Sequence, residues 1–310
     1  MTPSVESATL ALYDTDTNET MIVPSTPDQF NTDVDDSRPI HRPYGITWSQ
    51  DNIFVASRKN LLVYDNQLEA VEVVRNIFDE NSHSIFYRDG KIACAMVRKE
   101  CVAFYDVATG DMEMYHPQHG WGDDFPNNQN GNYTFRLNGL GEKDKTIYYL
   151  LYNTLSGDRE LHGINTETRQ PTTPMRFNCS VDHAHGVMIR RGKYLTLNQR
   201  GTLEGLEDQV LQVQIPEGYK ARGIAGDEMT WACAYHLFDY TGTGSYINVY
   251  DFSQGIDYNS APTKIRYVEG VGSINDMRRI DGVDFCHRNQ HDFKLCPSIF
   301  HKAYLISTMM

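Results

Sequence analysis

A three-residue pattern recurs along the chain and opens a short apolar run each time: a side chain able to hydrogen-bond, then a small residue, then an aliphatic one. It stands at Tyr44-Gly45-Ile46, His83-Ser84-Ile85, Asn138-Gly139-Leu140, His185-Gly186-Val187, Arg222-Gly223-Ile224 and Asn275-Asp276-Met277. A second signature, an apolar run closing in Tyr-Asp, follows several of them: Leu61 to Asp65, Val102 to Asp106 and Ile247 to Asp251. A further copy, Leu10-Ala11-Leu12-Tyr13-Asp14, lies ahead of the first opening. Repetition at roughly 35 to 55 residues, with strands and turns inside each period, is the mark of blades arranged around an axis. The pattern predicts an all-β chain folded as a six-bladed β-propeller.

Each opening tripeptide is expected to start the innermost strand of its blade, with polar turns leading outward. The blades are placed at about 42–74, 82–116, 133–174, 183–215 and 221–268, with a last one built from 273–310 and the N-terminal 9–23, all in one domain over 1–310. The N-terminal segments Thr9 to Tyr13 and Glu19 to Val23 read as strands, and the first carries the Tyr-Asp ending of a third strand. They are expected to complete the last blade and so remove exposed sheet edges. Lys302 to Ser307 is either a third strand of that blade or an appended segment. His116 to Asn132, rich in Asn, Gly, Asp and Pro, reads as a long surface loop, of the kind that carries function.

With 28 Lys and Arg against 41 Asp and Glu, the formal net charge is -13. Nucleic acid and membrane surfaces are therefore not expected as partners, since both demand a basic face. Met1 to Asp16 has neither a basic start nor an apolar run, and no later stretch reaches the ~20 apolar residues of a membrane span. A cytoplasmic or virion-associated location is expected. The cysteines Cys94, Cys101, Cys179, Cys233, Cys286 and Cys296 form no CxxC pair. They read as reduced thiols, with Cys94 and Cys233 packed as small hydrophobes inside apolar strands.

The first residues of the tripeptides should converge at one mouth of the central channel: Tyr44, His83, Asn138, His185, Arg222 and Asn275. Such a ring suits a small molecule or a group from a partner protein. His41, His83, His183 and His185 fall at or just before inner-strand starts, and imidazoles gathered from several blades are what a divalent transition metal needs. Asn138, Asn275, Asp276 and Glu142 are the oxygen donors available to calcium in the channel. His287 and His291 have half the spacing of a zinc hydrolase motif without its acidic partner. There is no GxSxG elbow and no P-loop, and Gly139-Leu140-Gly141 lacks the context of a dinucleotide site. Asp123-Asp124 reads as solvated loop charge rather than an acid-base pair.

The openings Pro43 to Trp48, Leu137 to Leu140, His185 to Val187 and Ile274 to Met277 resemble those of six-bladed propellers of the NHL, gluconolactonase and strictosidine synthase-like superfamily. The resemblance covers most of the chain and implies the fold. In the lactonase branch it implies a calcium site of Glu, Asn and Asp; Asn138 and Asn275 match it, and the Glu has no counterpart. The openings are also similar to those of bacterial propellers whose blades begin His-x-Asn-Gly, with Arg136 in place of that histidine. The function expected first is a binding or scaffold module holding a ligand or partner protein at the channel mouth. The alternatives are a metal-dependent enzyme using the four histidines, and a structural component of a larger assembly such as a virus particle.

Overall fold

The computed structural model describes residues 8–14, 20–24, 43–57, 59–65, 68–79, 82–128, 133–151, 159–177, 185–190, 192–226, 230–237, 244–253, 255, 257–269, 273–280 and 303–309. Strands β1 (Ala8–Asp14) and β2 (Thr20–Pro24) pair antiparallel near the start. Sheet one follows with β3 (Pro43–Trp48), β4 (Asn52–Ser57), β5 (Asn60–Asp65) and β6 (Ala70–Val74). Sheet two contains β7 (Ser82–Arg88), β8 (Lys91–Met96), β9 (Cys101–Asp106), β10 (Met112–His116) and β11 (Gly120–Gly122). Sheet three is β12 (Leu137–Lys143), β13 (Thr146–Leu151), β14 (Glu160–Asn165) and β15 (Met175–Arg176). Sheet four is β16 (His185–Arg190), β17 (Lys193–Leu197), β18 (Thr202–Glu204) and β19 (Gln209–Gln212). Sheet five is β20 (Tyr219–Gly226), β21 (Thr230–Leu237), β22 (Gly244–Asp251) and β23 (Lys264–Glu269). The last strands, β24 (Ser273–Ile280) and β25 (Ala303–Met309), pair with the first two in the order β24-β25-β1-β2.

The first strand of each sheet lies against the first strand of the next: β3 on β7, β7 on β12, β12 on β16, β16 on β20, β20 on β24, and β24 on β3. Apolar cores fill the spaces between successive sheets. Phe54 and Val63 meet Ile85 and Cys94 between sheets one and two; Phe104 meets Leu140 and Tyr149 between two and three. Leu150 meets Val187, Leu197 meets Cys233, and Ala234 meets Tyr13 in the next three interfaces, while Leu10 and Leu12 pack on Ile53 and Leu62. Each such aliphatic or aromatic side chain contributes roughly 1.5–3 kcal/mol by leaving water. The continuous run from Thr146 to Leu151 is buried throughout, as expected for a strand covered on both faces. This is an all-β propeller.

Both sequence signatures have a physical cause. In the innermost pair of every sheet the register slips within or beside the tripeptide: between Pro43 and Gly45, His83 and Ile85, Leu137 and Leu140, His185 and Met188, Ala221 and Ile224, and Ile274 and Asp276. These are β-bulges, which bend the strand and re-aim one side chain. The small second residue lets neighbouring inner strands touch. A Cβ on Gly45 would lie 2.5 Å from the Ile85 nitrogen, and one on Gly139 would lie 2.8 Å from Gly186 Cα. In the Tyr-Asp endings the tyrosine packs between sheets, with Tyr13, Tyr64 and Tyr250 almost wholly buried. The aspartate closes the following turn: Asp65 Oδ1 accepts the Glu69 N–H at 2.9 Å, Asp106 Oδ1 those of Ala108 and Thr109, and Asp251 Oδ1 that of Ser253.

Two expectations are corrected. Residues 116–128 are not a plain loop: after a turn at 117–119, β11, opened by Gly120 at φ +76°, adds a fifth strand to sheet two, pairing Tyr115 with Trp121. Trp121 supplies the energy, its ring lying 5.4 Å from both Phe104 and Tyr115. Ala303–Met309 is neither a third strand nor an appendage; β25 sits second, between β24 and β1. The cluster around His287 and His291 lies outside the described residues.

Candidate functional site at the channel mouth

The inner strands neighbour one another from sheet to sheet. All six predicted ring positions belong to these strands: Tyr44 on β3, His83 on β7, Asn138 on β12, His185 on β16, Arg222 on β20 and Asn275 on β24. The side chains of His83, Asn138 and Arg222 are described; those of Tyr44, His185 and Asn275, and the whole of His41 and His183, lie outside the described residues. Asn138 is buried, while His83 and Arg222 are half-buried.

Charge gathers here against the sign of the whole molecule. Burial, then the Arg222 guanidinium, then that of Arg136, holds the His83 pKa down to about 3. Arg222 of sheet five and Arg136, just ahead of sheet three, thus act on His83 of sheet two, and at neutral pH the imidazole is uncharged in the field of two permanent cations. Arg136 was not among the predicted site residues. It precedes β12 by one position and falls outside the tripeptide, so its only signal was its place where similar propellers carry a histidine. The Cys94 thiol lies 3.9 Å from the His83 carbonyl oxygen at the back of the bulge.

Of the expected oxygen donors, Asn275 and Asp276 have side chains outside the described residues. Glu142 stands toward the other end of β12, where it is ion-paired with Arg88 and accepts the Lys145 N–H at 3.3 Å. Among the described residues, no three His, Cys, Asp or Glu side chains are grouped to hold a metal ion. Cys94, Cys101 and Cys233 are free and buried, and burial raises each thiol, Cys233 to about 12, so none is a nucleophile at neutral pH. In the 116–128 segment Asp124 pairs with Lys99 rather than serving Asp123. A cleft of about 300 Å³ beside it is lined by His116, His119, Phe125 and the backbone-bound Glu100. His116 Nδ1 accepts the Gln118 N–H at 3.1 Å, and burial together with His119 lowers its pKa to about 4.

No protein-family model matches the chain, and no curated protein does. Solved propellers resemble it at low identity. The WD40 repeats of RRP9 are 10% identical with a TM-score of 0.49, covering 97% of this chain and 89% of that one. Virginiamycin B lyase from Staphylococcus aureus is 11% identical with a TM-score of 0.46, over 76% and 74%. The β-propeller domain of Myceliophteria thermophila Cps50 (Swd1) is also 11% identical with a TM-score of 0.46, over 86% and 81%. The propeller assignment rests on the strand pairing of the chain itself. Among the described residues no helix is long and apolar enough to cross a membrane.

Proposed function

We propose that this chain is a binding module: a six-bladed propeller, its ring closed by β1 and β2 completing the sheet of β24 and β25, whose channel mouth takes an anionic group. That group belongs to a small ligand or to an acidic side chain of a partner protein. The observation that carries the reading is that an uncharged His83 on sheet two feels the positive charge of Arg222 on sheet five and of Arg136, the residue just before sheet three. Guanidinium groups recognise carboxylate and phosphate in a planar, two-pronged way, and a neutral imidazole adds one N–H donor. Tyr44, Asn138, His185 and Asn275 complete the proposed ring. The kinship with the NHL, gluconolactonase and strictosidine synthase-like superfamily belongs to the same reading and is supported by the blade openings.

A metal enzyme built on His41, His83, His183 and His185 is the weaker reading, because two guanidinium charges beside His83 repel a divalent cation. Calorimetric titration of the full chain with phosphate and with malonate tests the proposal. Saturable binding of either anion, weakened about tenfold in Arg222→Gln and in Arg136→Gln, is expected from the loss of one charged contact. Absence of saturable binding, or binding indifferent to both substitutions, would sink it.

A further inference from the structure

The wedge between sheets two and three holds a second cleft, of about 270 Å³. Its floor follows from strand register. Phe86, Ala93, Phe104 and Glu113 stand opposite one another on β7, β8, β9 and β10, a single row across sheet two. Ala93 is a notch between two rings in that row, and Ile147 of β13 faces it from sheet three. Two inter-sheet ion pairs bound the cleft. Arg88 pairs with Glu142 at the inner end, and at the outer end Arg169 grips Glu113 with both carboxylate oxygens at 2.9 and 3.0 Å.

The outer wall depends on the added strand. Trp121 of β11 lies under the Arg169 guanidinium at 4.0 Å and donates its indole N–H to the Arg169 carbonyl oxygen at 2.9 Å. Arg169 itself holds a positive φ of 59°, so the 165–170 turn is shaped to meet the indole. Sheet two has a fifth strand where the others have four, and that strand is what walls the cleft. In repeat proteins, segments that break the repeat commonly line a binding face.

We infer that this wedge binds a small planar aromatic carboxylate, its ring inserted over Ala93 between Phe86, Phe104 and Trp121 and its carboxylate facing Lys91 at the rim. A cavity of roughly 150 Å³ with apolar walls already holds benzene, so a cleft of about 270 Å³ has room for two fused rings. Aromatic walls reward a flat ring by offset or edge stacking. Among the rim cations, Arg88 and Arg169 are each held by close carboxylate contacts. Lys91 has a looser one, 3.8 Å to Glu113, and remains 44% exposed. It is the rim cation placed to accept a new anion.

The test is calorimetric titration of the full chain with indole-3-acetate and, in parallel, with indole. One saturable site for indole-3-acetate is expected. Filling the notch with Ala93→Leu abolishes it, and Lys91→Gln weakens it about tenfold while leaving indole unchanged, the size of one charged contact. Arg222→Gln, at the channel, leaves indole-3-acetate binding intact, which separates this site from the channel mouth. No saturable binding at millimolar ligand, or undiminished binding in a fully folded Ala93→Leu protein, overturns the proposal. So does loss of binding in Arg222→Gln. Should Ala93→Leu fail to fold, the Lys91→Gln comparison of the two ligands decides: an equal effect on both, or on neither, overturns it.

Discussion

The channel mouth and the wedge between sheets two and three are built on opposite principles. At the mouth, six equivalent bulges repeat one backbone solution, and the tripeptide divides its labour. The small and aliphatic residues are demanded by packing, since Gly45 and Gly139 touch the neighbouring strand's backbone. The first residue varies from tyrosine to histidine, asparagine and arginine. In the wedge the repeat is broken instead: one sheet gains a strand, and a cation–π contact and an ion pair fasten it to the next. A symmetric scaffold therefore has two ways of becoming specific. It varies one residue at a repeated strand start, or it adds a segment to one sheet.

The sharpest way to break this comparison is at the shared backbone. Gly139→Val drives a side chain into Gly186 backbone atoms that lie 2.8 Å from its Cβ, and should cost more than about 4 kcal/mol or prevent cooperative folding. Gly192→Ala, at φ +73° with open space around it, should cost only about 1 kcal/mol in the same urea titration. Equal losses would mean that inner-strand contact is not what the tripeptide serves.

The next effect is one of pH. His83 and His116 have pKa values of about 3 and about 4, below the ordinary 6.5. Between those values the unfolded chain binds protons that the folded chain refuses. Their contribution is whole above about pH 6.5 and is lost as the pH falls toward 4 and then 3. The difference in stability between wild type and His83→Gln should shrink across that window, by on the order of 5 kcal/mol for a shift of this size. A difference independent of pH would remove His83 from the charged centre.

Trp121→Ala tests the wedge as an addition rather than a foundation. A loss of about 2 kcal/mol is expected from the indole's burial and its cation–π contact. Hydrogen exchange should speed up at Met114–His116 and leave β3 to β6 unchanged; acceleration throughout would make the fifth strand part of the common scaffold. Smallest of all, Asp65→Ala removes one turn closure from the Tyr-Asp ending and should cost about 0.5 kcal/mol by chemical denaturation. A loss as large as that of Trp121→Ala would show the aspartate holding more than its own turn.

Much of the fold was legible because the repeat carries its own physics. Small residues where strands crowd, polar ones at turns and unbroken apolar runs where sheets cover both faces are all local demands. Three features were not legible. β11 is only Gly-Trp-Gly, within a stretch rich in Gly, Asn and Pro, and forms because Trp121 finds Phe104 and Tyr115. The second place of β25 in its sheet depends on strands from both ends of the chain. Arg136 reaches the mouth from outside the pattern, and Glu142, read as a channel ligand, is drawn to Arg88 at the other end of its strand.

The sequence by itself determined that the chain is all strand, where the inner strands begin, and that unlike polar residues occupy equivalent starts. Those are matters of residue type and spacing, written within a few positions of one another. Only the tertiary structure decided which of these residues act together. The charges of Arg222 and Arg136 act on His83, and Ala93 opens a notch beside Trp121, through strand register and the packing of neighbouring sheets. Charge and void depend on distance in space, and distance in the chain does not report it.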